Sequence, residues 1–142
     1  DLSAFIGGKL PCIHGSGLAG KSEIMVCESC EFVDTFLKLY PDIAVILNID
    51  ADHLDYFKTV DNIIKSFHKF AEKTTKAIIV NGDDANSMKA IEGITGKDIK
   101  SRLSDKTKQV LSQQKSKTDQ NKNDRTNTKI HQVLHRNVTD IF

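Results

Sequence analysis

Asp50, Asp52, His53 and Asp55 stand within six residues of one another, directly after the apolar run Ile43-Ala44-Val45-Ile46-Leu47 and Asn48. Carboxylates and an imidazole so close together supply hard oxygens and one nitrogen, the ligand types that bind magnesium or orient water and phosphate. Glu28 and Glu31 follow a second apolar run, Ile24 to Cys27. Carboxylates just past a strand, beside the acidic end of a neighbouring strand, are placed to complete a magnesium site with His53. The plainer reading is a solvated strand end. Cys27-Glu28-Ser29-Cys30 has the C-x-x-C spacing, but no second pair accompanies it, which favours buried thiols over a zinc site. Gly15-Ser16-Gly17-Leu18-Ala19-Gly20-Lys21-Ser22 matches the phosphate-loop pattern G-x-x-x-x-G-K-[ST]. That chemistry needs a buried strand before the loop and a helix after it, because the helix N-terminus supplies aligned amides. Pro11 and polar residues precede the loop and the β-type run Glu23 to Cys27 follows it, so a flexible glycine loop between strands is expected. His14, His68, His131 and His135 have no ligand pattern near them.

The elements that must position the acidic cluster follow from periodicity. Ile43 to Leu47 is too short for a free-standing helix and suits a strand buried on both faces of a parallel sheet. The acids then lie at its carboxyl end, where ligands bind in open α/β sheets. Leu2 to Ile6, closed by Gly7-Gly8, is a short apolar piece, and Pro11 to Gly20 reads as a turn-rich loop. Glu23 to Glu28 reads as a strand and Phe32 to Tyr40 as a helical turn ended by Pro41. Val60, Ile63, Ile64, Phe67, Phe70 and Ala71 repeat at helical spacing behind Thr59, predicting an amphipathic helix. Lys76 to Asn81 reads as another buried strand. Strand, helical turn, strand, helix, strand implies an α/β fold with a parallel sheet and flanking helices.

Composition divides the chain. Residues 1–100 carry 11 Lys against 15 Asp and Glu, net −4, whereas 101–142 carry 9 Lys and Arg against 4 Asp, net +5. Residues 99–142 form a polar, basic tail expected to be weakly helical or disordered, with Val110-Leu111 and Ile130 to Leu134 as candidate short helices. Three cysteines in no regular framework point to a reducing compartment, the cytoplasm. No apolar segment is long enough to span a bilayer, which argues against a membrane role. The tail lacks an aromatic stacking platform and its charges are dispersed, which disfavours a nucleic-acid partner. The start at Asp1, without methionine, is expected for a chain that begins inside a larger protein.

Val26 to Phe32, Thr35 to Pro41, Ile43 to Asp55, Phe67 to Phe70 and Val80 to Asp84 together resemble, in order and spacing, the central domain of the Mur ligases. The resemblance covers residues 1–98 as part of a P-loop-type central ATPase domain. It implies a cytoplasmic ligase of peptidoglycan biosynthesis in which ATP phosphorylates the carboxylate of UDP-N-acetylmuramate. The amine of L-alanine then attacks the acyl phosphate. It further implies Mg2+ bound by Glu28 and His53, with Asn48, Asp52 and Glu31 shaping the nucleotide and substrate site; it assigns no catalytic residue. In the family the phosphate loop lies upstream of this segment. Gly15 to Ser22 falls where the family has a glycine-rich substrate loop with an Asn and an Arg, positions that read Ser16 and Leu18 here. The likeness is expected to stop after about Lys97, as a truncated or frame-shifted gene would produce. Two other classes stay open: a catalytically dead remnant that holds magnesium or a partner, and a small hydrolase using Gly15 to Ser22.

Overall fold

The computed structural model describes residues 1–101, so the expectations for the tail, Val110-Leu111 and Ile130 to Leu134 included, fall outside the described residues. The described chain forms two compact units, one of Asp1–Glu28 and one beginning at Ser29.

The first unit is a three-stranded sheet. β1 (Ser3–Leu10) pairs antiparallel with β2 (Gly15–Leu18) and parallel with β3 (Met25–Cys27), in the order β2-β1-β3. β1 therefore runs on through Gly7-Gly8 instead of ending there. The hairpin closes through a 3-10 turn, Pro11–Ile13, with His14 left-handed at its end (φ 52°). Its register slips between Phe5 and Leu10, a bulge that lets the glycine-rich strand follow β1.

Gly15–Leu18 is thus a strand and not the expected loop. The glycines hid it, because they carry no alternation of apolar side chains from which a strand is read. The same geometry speaks against a phosphate loop. The Gly20 amide donates to Ser3 Oγ at 3.0 Å, and the amides of Lys21 and Ser22 donate to Asp1 O at 3.1 and 3.0 Å. Amides committed to the chain's own oxygens cannot cradle a phosphate, and the strand β3 follows where a helix N-terminus is required. Lys21→Ala is accordingly expected to leave ATP affinity unchanged in calorimetry. Tight ATP binding that the substitution removes would contradict this.

The second unit holds a parallel sheet in the order β4-β5-β6, with β4 (Ile43–Ile46), β5 (Ala77–Val80) and β6 (Asp98–Lys100) in continuous register from Ile43↔Ala77 to Ile46↔Val80. Helices α1 (Leu54–Phe57), α2 (Val60–Lys73) and α3 (Ala85–Ala90) accompany it. The parallel sheet with flanking helices is as the sequence predicts. So is α2: Thr59 caps its start by accepting the Asn62 amide, and Ile63, Phe70 and Ala71 are buried. Its far end is held by Lys97, whose ammonium donates at 2.7 Å to Ala71 O, which also accepts the Thr74 amide, placing a cation at the negative end of the helix.

Within the first unit β3 hydrogen-bonds to β1, and within the second β4 hydrogen-bonds to β5. Several expectations need correction. β4 is not buried on both faces: Ala44 and Ile46 are buried, whereas Ile43 is exposed and Val45 half-buried, because alternate side chains point to opposite faces and only one face is fully covered. The turn at Phe32 to Tyr40 is a 3-10 segment, Phe32–Lys38, broken where Val33 (φ 53°) and Asp34 (φ 56°) adopt the left-handed region. Cys30 and Cys12 are exposed and Cys27 is half-buried, so buried thiols describe none of them fully. Burial and the Glu28 charge beside it push the Cys27 thiol up.

The core of this unit gathers Ile46, Ile49, Phe57, Ile63, Ala71, Ile78, Val80, Ala90 and Ile91. Next to it Phe36 stacks on Phe70 (centroids 4.9 Å apart) above Ala44. At the start of β4, exposed Asp42 pairs with Lys76 at 2.7 Å and accepts from the Thr75 hydroxyl. The hydrogen bond from Lys76, then that from Thr75, hold its carboxyl below the usual carboxylate range. A depressed folded value stabilises the fold above the ordinary carboxylate pKa, and the contribution disappears as pH falls through the depressed value. Asp42→Asn should therefore lower the urea midpoint at pH 7 and leave a smaller difference from the parent near about pH 2. A difference that grows on acidification would contradict it.

Candidate functional site

The second unit places the acidic stretch just beyond the carboxyl end of β4. Its path is fixed by a residue that carries no chemistry: Ile49, fully buried in the core. The Ile49 amide donates to Asp84 Oδ2 (3.2 Å), and its carbonyl accepts from Asn86 Nδ2 (2.8 Å). Asp84 caps α3 with the same oxygen, taking the Ser87 amide and hydroxyl at 2.8 and 2.5 Å. Gripped on both sides, Ile49 anchors the loop. Asn48 Nδ2 donates to Asp50 Oδ2 at 2.9 Å, and the Asp52 amide turns back onto Asp50 O at 2.8 Å. His53 then adopts the left-handed conformation (φ 50°) and opens α1, its carbonyl accepting the Tyr56 and Phe57 amides, both at 2.9 Å.

This turn brings three expected residues together. His53 Nε2 lies 3.2 Å from Asp52 Oδ2 and 3.8 Å from Glu31 Oε1, and one ligand atom from each of the three fits within 4.8 Å of the others. It is the one such metal-ligating group among the described residues. The carboxylates are shielded, Glu31 at 12% side-chain exposure and Asp52 at 17%, with His53 at 29%. Two shielded negative charges at one imidazole repel each other, and a divalent cation relieves that repulsion. The donor set fits a hard cation.

The other expected residues are placed differently. Asn48 braces the loop through Asp50. Glu28 ends the first unit, where its Oε2 accepts the Gly7 amide at 2.6 Å. Asp50 and Asp55 stay out of the cluster.

Aromatic rings and one further carboxylate frame the site, and no local pattern marks them. The Phe32 ring lies 4.7 Å from the His53 ring and 6.4 Å from the Tyr56 ring. Tyr56 donates its hydroxyl to Asp34 Oδ2 at 2.8 Å, and Ser66 of α2 donates to Asp34 Oδ1. The hydrogen bond to Asp34 raises the Tyr56 phenol above its ordinary range. Tyr56 and Asp34 lie 22 residues apart, so no local pattern links them.

Residues 16–140 match the model of the Mur ligase middle domain, most of the chain. The chain belongs to the Mur ligase family. The family match runs past Lys97, whereas matched relatives align over 86–96 residues. A Mur ligase from Caldanaerobacter subterraneus, named UDP-N-acetylmuramate--L-alanine ligase, is 49% identical over 96 residues, 66% of this chain and 21% of its own length. Enzymes of the same name from Clostridium acetobutylicum and Caldicellulosiruptor bescii are each 49% identical over 86 residues, 59% of this chain and 19% of theirs. The chain thus spans about a fifth of the length of the Mur ligases it matches. No described helix is long and apolar enough to cross a membrane.

Proposed function

We propose that the chain is a piece of an ATP-dependent ligase joining UDP-N-acetylmuramate to L-alanine in the cytoplasm, with the acidic loop after β4 contributing to its nucleotide and cation site. The observation that carries this reading is the convergence of Glu31, Asp52 and His53 at the carboxyl end of a parallel strand, in a chain of this family. In the reaction, the sugar carboxylate takes the terminal phosphoryl group of ATP and ADP departs. The alanine amine then attacks the acyl carbon, a proton leaves the nitrogen, and phosphate is released. Glu31, Asp52 and His53 would hold Mg2+. Bound there, the ion would offset negative charge on the ATP phosphates. Asn48 keeps the loop in shape through Asp50. The basic stretch expected over 99–142 begins inside β6, whose Ile99 and Lys100 pair with β5, and most of it falls within the family match that ends at residue 140.

A polypeptide of these 142 residues alone is expected to release no phosphate from ATP in the presence of UDP-N-acetylmuramate and L-alanine. The Caldanaerobacter enzyme, with its 96 matched residues replaced by those of this chain, is expected to release phosphate only when both substrates are present. A folded chimera that releases none would overturn the assignment.

A further inference from the structure

We propose that Asp34 is a positioning residue for the cation site: it ties the chain segment that carries Glu31 to the segment that carries Asp52 and His53. The inference rests on the reading of Glu31, Asp52 and His53 as that site. The ligand atoms come from two stretches far apart in sequence, so their spacing depends on what fastens one stretch to the other. Among the described residues the fastening has three parts. Phe32, next to Glu31, packs its ring against His53 at 4.7 Å. Tyr56, in the helix that His53 opens, sets its ring edge-on to Phe32 and hydrogen-bonds Asp34 at 2.8 Å. Ser66, buried in α2, donates to the other Asp34 oxygen. One carboxylate thereby joins the 3-10 segment, α1 and α2.

The backbone shows how strongly this tie is held. Asp34 follows Val33, and both are left-handed. Asp tolerates that region, but a β-branched Val does not, and such a conformation persists only where the surroundings impose it. The bend turns the Asp34 carboxylate toward Tyr56 and Ser66 instead of continuing the helix. Residues that orient metal ligands without touching the metal alter affinity about 10–100-fold when removed; Asp34 acts further out, through Tyr56 and the Phe32 ring that packs on His53.

The test uses the full chain with labelled histidine, read by NMR at fixed pH, and Mn2+ as the paramagnetic probe. Tyr56→Phe keeps the ring and deletes only the hydroxyl, and Asp34→Asn provides a second, independent cut. Both are expected to move the His53 ring-proton shifts, which sense the Phe32 ring, and to weaken Mn2+ binding at His53 by up to about 10-fold. Asp42→Asn, which loses an exposed pair at the start of β4, should change neither. His53 shifts that stay put in both variants overturn the tie. So does unaltered Mn2+ affinity, or an equal response from Asp42→Asn. A parent chain whose His53 signal Mn2+ does not broaden sinks the cation-site reading instead, while the shift comparison still decides the tie.

Discussion

Ile78→Ala is expected to destabilise the second unit by about 2–5 kcal/mol. Ile78 is fully buried on β5, the middle strand of the parallel sheet, and it belongs to the cluster formed with Ile46, Ile49, Phe57 and Ile63. Truncation removes three carbons from a buried side chain on a strand paired on both edges, in a cluster that includes Ile63 and Ala71 of α2. Such a framework cannot collapse into the void, so the lost contacts add to the lost transfer energy. Ile49, whose backbone anchors the acidic loop, lines the same cluster, so the effect should reach the site as well. Urea unfolding followed by circular dichroism reads the shift. A loss below about 1 kcal/mol, the scale of an Ile→Val trim, would mean that β5 is not the packed centre of this unit.

The second large effect concerns His53. In the chimeric ligase, His53→Asn is expected to lower the rate of substrate-dependent phosphate release by more than the about 10–100-fold that loss of an outer partner costs, with little loss of stability. Asn suits the comparison because it accepts the left-handed backbone that His53 adopts. Alanine would mix backbone strain into the result. The expected stability change is small because the imidazole is partly exposed and its main neighbours are carboxylates and the Phe32 ring. A variant that loses stability and keeps its rate would assign His53 to packing.

What the sequence disclosed and what it withheld divide along physical lines. Local patterns were readable. Thr59 and the helical recurrence of Ile63, Phe70 and Ala71 specify α2, and the β-branched runs around Val45 and Ile79 specify β4 and β5. The acidic residues after β4 were readable too, since Asp52 and His53 are adjacent and their chemistry is in their side chains. Pairing was not readable. Asp98–Lys100 is short, polar and exposed, and nothing in it announces a strand until Ala77 and Ile79 offer a partner edge. The partner of β3 is settled by Ser3 to Phe5, more than twenty residues upstream, and no local signal prefers β1 over β4. The bend at Val33 and Asp34 runs against the preference of valine, so propensity points away from it. Asp34, Tyr56 and Ser66 owe their connection entirely to tertiary contact between three elements.

A crystal of the chain soaked in Mn2+ decides whether Glu31, Asp52 and His53 hold a cation. One anomalous peak is expected in coordination contact with the carboxylates of Glu31 and Asp52 and with Nε2 of His53. An ordered cluster with no peak at Mn2+ concentrations that fill acidic sites elsewhere on the same molecule would contradict it.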